Sequence, residues 1–264
     1  MKRLAALVYG IACYGVFFIT LIYAIGFMGN FGVPKSLDSR PTDSLMTALA
    51  VDCGLLALFA LQHSIMARPW FKRAWTLVVP EPVERSTYVL FSSLALLLMF
   101  WQWRPIGGIL WNFEGNALGT VLTAGYAVGL LIVLLSTFLI NHFDLFGLRQ
   151  VVLYFLGRPY THLEFRTPFF YRHVRHPLYV GWLLTFWSTP VMTSAHLLFA
   201  VMTTGYILVA IQFEERDLIA AYGDKYRSYR EQVPMLIPAV RPSGRGSEVI
   251  TEPRPAGSGI VRKA

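Results

Sequence analysis

Charged and imidazole side chains bracket one long apolar stretch of this 264-residue chain. Arg175-His176-Pro177-Leu178-Tyr179-Val180-Gly181 opens it, and Glu214-Glu215-Arg216-Asp217-Leu218 closes it. The residue before a proline is pushed towards extended geometry, and proline suits the first helical position. A helix is therefore predicted to begin at Pro177 with His176 as its cap. Such a start attracts anions, and Arg172, Arg175 and His176 would reinforce it. Glu214 and Glu215, expected at a wet interface, offer acceptors to an ammonium or to ribose hydroxyls. Phe170, Tyr171 and Tyr179 offer flat faces to an adenine ring. Carboxylate, ammonium, ribose and adenine occur together in S-adenosylmethionine. The competing reading makes the same charges interfacial ion pairs.

A second group of polar residues is spread over other segments. His63 lies in Gln62-His63-Ser64, Glu84 and Arg85 open a later apolar run, and His142 and Asp144 stand in Asn141-His142-Phe143-Asp144. His162 and His173 precede His176. If these meet at one level, His142, Asp144, His63 and Arg85 are the candidates to ionise or stabilise a nucleophile. The expected cofactor-binding set is His162, Phe170, Tyr171, Arg172, His173, Arg175, His176, Tyr179, Glu214 and Glu215. No metal site is expected: the histidines form no HxxxH or HExxH face, and His173-x-x-His176 runs into a proline.

The elements that must position these residues are membrane spans. Hydrophobic residues make up 55% of the chain and charged residues 14%, against about a quarter charged in soluble domains. Residues 4–27, 45–66, 88–103 and 118–140 form apolar windows suited to crossing a bilayer; the third, short by itself, is expected to extend through residues 106–110. Residues 178–213 are too long for one span and are interrupted by Pro190 and Ser194-Ala195-His196, which predicts a hairpin of two short helices. The fold class is thus all-α: a polytopic transmembrane bundle of five to six membrane helices with a cytoplasmic active face. Residues 1–240 read as one domain, with the cofactor half over residues 141–238. Residues 241–264, rich in Pro, Gly, Ser and Arg, read as a disordered cytoplasmic tail.

Loop charges orient the bundle. With the N-terminus in the cytoplasm, that side holds Lys2, Arg3, Arg68, Lys72, Arg73, Arg85, five arginines from Arg149 to Arg175, and the basic residues from Arg216 on. The other side keeps Lys35, Arg40 and Arg104, a positive-inside bias that places both termini on the cytoplasmic side of an inner membrane. The net charge of +8 then reads as topology and contact with anionic lipid heads, and no nucleic-acid-binding module accompanies it. On this drawing five of the six histidines fall at the cytoplasmic face and His196 at the other. Cys13 and Cys53, each in an apolar run, form no CxxC pair. The first window is longer than a signal-peptide core and has no small-residue cleavage site near residues 26–30, so it reads as a true span.

The run from Thr167-Pro168-Phe169-Phe170-Tyr171-Arg172-His173 to Gly181, with Glu214-Glu215 and Tyr222-Gly223-Asp224-Lys225-Tyr226, resembles the cofactor half of the isoprenylcysteine carboxyl methyltransferase superfamily. Thr167 stands where that superfamily's turn often has glycine. Gln62-His63-Ser64, Glu84-Arg85-Ser86-Thr87-Tyr88 and Asn141–Gln150 are similar to the bacterial methanethiol S-methyltransferases. The resemblance covers nearly all of the chain before Val240. It implies transfer of a methyl group from S-adenosylmethionine to methanethiol, giving dimethyl sulfide. Because a thiolate is the nucleophile, a base or cation beside it would help. Other acceptors stay open, namely another thiol or a prenylcysteine or lipid carboxylate. A haem- or quinone-binding membrane protein is the non-enzymatic alternative, although its histidines would need to pair inside facing spans.

Overall fold

A computed structural model describes residues 1–161 and 163–238. His162 and the tail assigned to residues 241–264 lie outside the described residues. Among the described residues, five helices are long and apolar enough to cross a membrane: α1 (Lys2–Gly29), α2 (Leu45–Ala67), α4 (Glu81–Gln102), α5 (Ala117–Ile140) and α9 (Ser194–Tyr222). Shorter helices lie between and after them: α3 (Pro69–Trp75), α6 (His142–Leu145), α7 (Leu148–Phe155), α8 (Pro177–Trp187) and α10 (Asp224–Gln232). The result is a polytopic membrane helix bundle.

The helix limits follow local chemistry. Ser44 caps α2 by accepting from the backbone N–H of Thr47, and Asn116 caps α5 by accepting from Gly119. Asparagine and serine satisfy amides that the first turn leaves unpaired. α4 begins at Glu81, earlier than the apolar window, because Pro82 and the acidic Glu81 and Glu84 favour a helix start. It ends at Gln102 and does not continue through residues 106–110 as expected. Pro105 and Gly107-Gly108 break it, Gly108 having φ +98°. Residues Ile109–Asn112 form β1, which pairs antiparallel with β2 (Val191–Thr193).

The hairpin is present but unequal. α8 has 11 residues, about 16 Å at 1.5 Å per residue and too short to span. α9 has 29, about 43 Å, enough to cross and project beyond. The second arm is therefore a full span and not a short helix. Two glycines fix α8 against α5. A Cβ built on Gly129 would lie 2.8 Å from the carbonyl oxygen of Gly181, and one built on Gly181 would lie 2.8 Å from that of Gly129. Backbones this close leave no room for side chains, the contact that small residues permit in membrane helix pairs.

A core of Phe27, Leu37, Trp103, Phe199, Ala200 and Ile207 locks α1, α4, α9 and the loop after α1. A second cluster of Met66, Tyr88 and Val89, with Phe17 and Phe146 against it, lies nearer the expected cytoplasmic end.

Candidate active site

His176 is the cap of α8 and Pro177 its first residue, as the proline predicts. The expected opposition of the two ends of the hairpin is present at atomic range. Arg175 Nε donates to Glu215 Oε1 at 2.7 Å, His176 Nε2 lies 3.1 Å from the same oxygen, and Arg230 Nε is 3.2 Å from Oε2. Arg175 also donates through Nη1 to the carbonyls of Arg230 and Val233. The backbone N–H groups of Arg175 and His176 bond to Pro234 and Met235, tying α8 to the segment after α10. Glu215 is 2% exposed. The wet interface expected for it is instead a closed, hydrogen-bonded knot, and the Arg175 guanidinium and His176 ring are turned onto a carboxylate of the chain itself. Buried charges require such partners.

Glu214, one residue earlier on α9, points another way. Its Oε2 accepts from the Tyr179 hydroxyl at 2.9 Å, and its side chain is 43% exposed. The Tyr171 carbonyl accepts from the Tyr229 hydroxyl at 2.6 Å. Burial and the nearby Glu214 charge push the Tyr171 phenol up, so that it stays neutral. Phe170 is half-buried with its ring 4.8 Å from Phe169. Arg172 and His173 are exposed.

The four candidates for nucleophile activation fall into two places. On α2 and α4, His63 stacks on Phe59 with ring centroids 5.2 Å apart and contacts Tyr88 at 5.1 Å. Ser92 donates its one hydroxyl proton to the Tyr88 carbonyl, so towards His63 Nδ1, 3.1 Å away, it is an acceptor. With the proton on Nδ1, Nε2 accepts from the Tyr88 hydroxyl, which lies 2.9 Å from it and 3.1 Å from Nδ1. The Arg85 guanidinium lies 4.9 Å over the Tyr88 ring while its Nε holds the Leu145 carbonyl at 2.8 Å. Gln62 Oε1 and Glu84 Oε1 are buried without a hydrogen-bond partner.

His142 and Asp144 are engaged elsewhere. Thr137 donates to the Leu134 carbonyl and so accepts from His142 Nδ1 at 2.9 Å, while the Tyr14 hydroxyl donates to Nε2 at 2.8 Å. The ring also stacks on Phe138 at 4.4 Å, and burial holds the imidazole below its usual range. Asp144 bonds to Arg149 at 2.9 Å and Tyr160 at 3.3 Å. These residues fix the turn that presents the Leu145 carbonyl to Arg85.

Tyr206 was missed in the sequence because an aromatic inside an apolar helix reads as packing. It links α9 to α2: Ser64 donates to its hydroxyl at 3.3 Å, and its ring meets Phe59 edge-on at 6.2 Å. Arg68, the residue just after α2, also reaches Asp217 on α9 at 2.8 Å. His63 and Tyr88, on α2 and α4, thus face Tyr179, Tyr206 and Glu214, on α8 and α9, across the seam between the two helix pairs. His196 lies outside this seam, 3.1 Å from Asp38.

Known proteins resemble this chain over most of its length. It is 62% identical to a methanethiol S-methyltransferase of Crocosphaera subtropica over 241 residues, 91% of this chain and 94% of that protein. Identity is 52% to the methanethiol S-methyltransferase of Mycobacterium tuberculosis over 238 residues, 90% and 98% of the two chains. Nurim of Xenopus laevis is 32% identical over 177 residues, covering 64% of this chain and 62% of that one. No family model matches, and no solved structure does.

Proposed function

This chain belongs to the methanethiol S-methyltransferase family, and on that premise we propose that it methylates methanethiol to dimethyl sulfide with S-adenosylmethionine as donor. The observation that carries the reading is the seam itself, which brings a base-bearing pair, His63–Tyr88, opposite the Tyr179–Glu214 pair.

The residues present fit the cofactor. Glu214 keeps a half-exposed carboxylate for an ammonium or ribose hydroxyls, and Tyr171, Tyr179 and Phe170 bring aromatic faces. Arg172, exposed beside them, provides the positive charge that the Glu215 knot withholds at Arg175. The cofactor would supply an electrophilic sulfonium methyl, which the thiolate takes by in-line displacement, leaving S-adenosylhomocysteine. The protein's part is to position, ionise and exclude water.

Ionisation falls to the His63–Tyr88 pair. The Tyr88 oxygen takes the proton of the thiol as its own proton passes to His63 Nε2, which the tautomer leaves free to accept it. The Arg85 cation beside Tyr88 stabilises the resulting thiolate. His142 and Asp144 hold the Arg85 carbonyl partner in place and do not touch the thiol. The seam lies on the cytoplasmic side of an inner membrane, with both termini on that side, a placement supported by the positive-inside bias.

Calorimetric titration of the purified protein with S-adenosylmethionine and S-adenosylhomocysteine, in the absence of added metal, tests the reading. Saturable binding of both is expected; binding that requires metal, or none, would overturn it.

A further inference from the structure

Tyr206 belongs to no motif in the sequence, yet it is the ring that stands between the two halves of the seam. It lies eight residues before Glu214 on α9, about two turns along the same helix. Ser64, next to His63, donates to its hydroxyl at 3.3 Å. Phe59 touches it edge-on at 6.2 Å and stacks on His63 at 5.2 Å. Phe59 and Tyr206 therefore make one aromatic wall along the side of the base-bearing pair, and the Ser64 hydrogen bond fixes the orientation of the Tyr206 ring.

Resting on the methyl-transfer reading, we propose that Tyr206, backed by Phe59, limits the acceptor to a very small thiol. Methanethiol carries a single methyl group on its sulfur. Each further carbon on a thiol bound at His63–Tyr88 must be accommodated against this wall, and a tyrosine ring held at both its edge and its hydroxyl does not yield cheaply. A pocket of this kind discriminates by about 10- to 200-fold per methylene. The hydroxyl serves to hold the ring and takes no part in the proton transfer.

The test is the ratio of kcat/KM for 1-propanethiol to that for methanethiol in wild type, Tyr206→Ala, Phe59→Ala and Tyr206→Phe. S-adenosylhomocysteine affinity is measured alongside as a check of the fold. Tyr206→Ala is expected to raise the ratio by about tenfold or more, Phe59→Ala to raise it less, and Tyr206→Phe, which keeps the ring but loses its Ser64 anchor, to raise it only slightly. If Tyr206→Ala no longer binds S-adenosylhomocysteine, Phe59→Ala decides the matter. An unchanged ratio in a truncation variant that still binds would overturn the assignment. A wild-type protein that methylates no thiol at all would instead defeat the underlying reading, a result distinct from an unaltered ratio in an active enzyme.

Discussion

Arg175 Nε donates to Glu215 Oε1 at 2.7 Å across 40 residues of sequence, and both side chains are nearly closed to solvent. Two neighbouring glutamates therefore have different tasks: Glu215 holds α8, α9 and α10 together, and Glu214 faces the seam.

Glu215→Ala strips a buried carboxylate from Arg175, His176 and Arg230 and leaves the Arg175 charge uncompensated. A loss on the order of 3–5 kcal/mol is expected, read as a lowered Tm in detergent. Glu214→Ala leaves Tm near wild type and weakens S-adenosylhomocysteine binding about tenfold, the low end for a charged hydrogen bond because the carboxylate is half-exposed. Equal melting losses in the two variants would show that the glutamates are not divided in this way.

His63→Ala removes the proton acceptor from the Tyr88 pair. Turnover falls strongly at neutral pH and recovers in part as pH rises and the thiol ionises unaided, while S-adenosylhomocysteine still binds. Asp144→Ala, which loosens the turn held by Arg149 and Tyr160, loses activity by the same factor at every pH. Rate–pH profiles at saturating cofactor separate the two; a flat loss in His63→Ala would remove its role as base.

Stability depends on pH through His142. Burial holds its imidazole below the ordinary value when folded, whereas the unfolded chain takes up a proton near pH ~6.5. Between that pH and the lower folded value the unfolded state binds more protons, so stability falls as pH drops through this window and is fully present above it. The fall in Tm from pH 7.5 to 5.5 should be smaller in His142→Gln than in wild type. An identical fall would show that the protonation of His142 does not contribute.

Gly129→Ala places a methyl group 2.8 Å from the Gly181 carbonyl oxygen and 2.8 Å from the Thr185 nitrogen. α8 must move away from α5, at a cost of about 1–3 kcal/mol, and cofactor affinity should fall with it because Tyr179, the partner of Glu214, rides on α8. Gly54→Ala, where a Cβ meets nothing within 4 Å, is the control expected to change neither Tm nor affinity.

Local signals in the sequence carried the spans, the start of α8 and the break near Pro190, because apolar length and proline geometry act over a few residues. The pairing of Ile109 with Thr193 does not: two short strands 84 residues apart have no shared period, so residues 106–110 read as more helix. The same holds in the site. His176–Pro177 and Glu214-Glu215 could be found as groups, but Glu215 is buried by Arg230, on a helix whose docking the sequence does not encode locally. His63 and Arg85 converge with Tyr88, whereas His142, similar in sequence setting, is satisfied between Tyr14 and Thr137. Tyr206 was hidden because only its partner on α2 distinguishes it from an ordinary core ring.

The central claim is tested most directly by incubating the purified protein with methyl-labelled S-adenosylmethionine and either methanethiol or a prenylcysteine carboxylate, then identifying the labelled product. Labelled dimethyl sulfide from methanethiol, with no labelled ester from the carboxylate, is the expected result. Label appearing in a carboxyl methyl ester while methanethiol remains unmethylated would contradict the account.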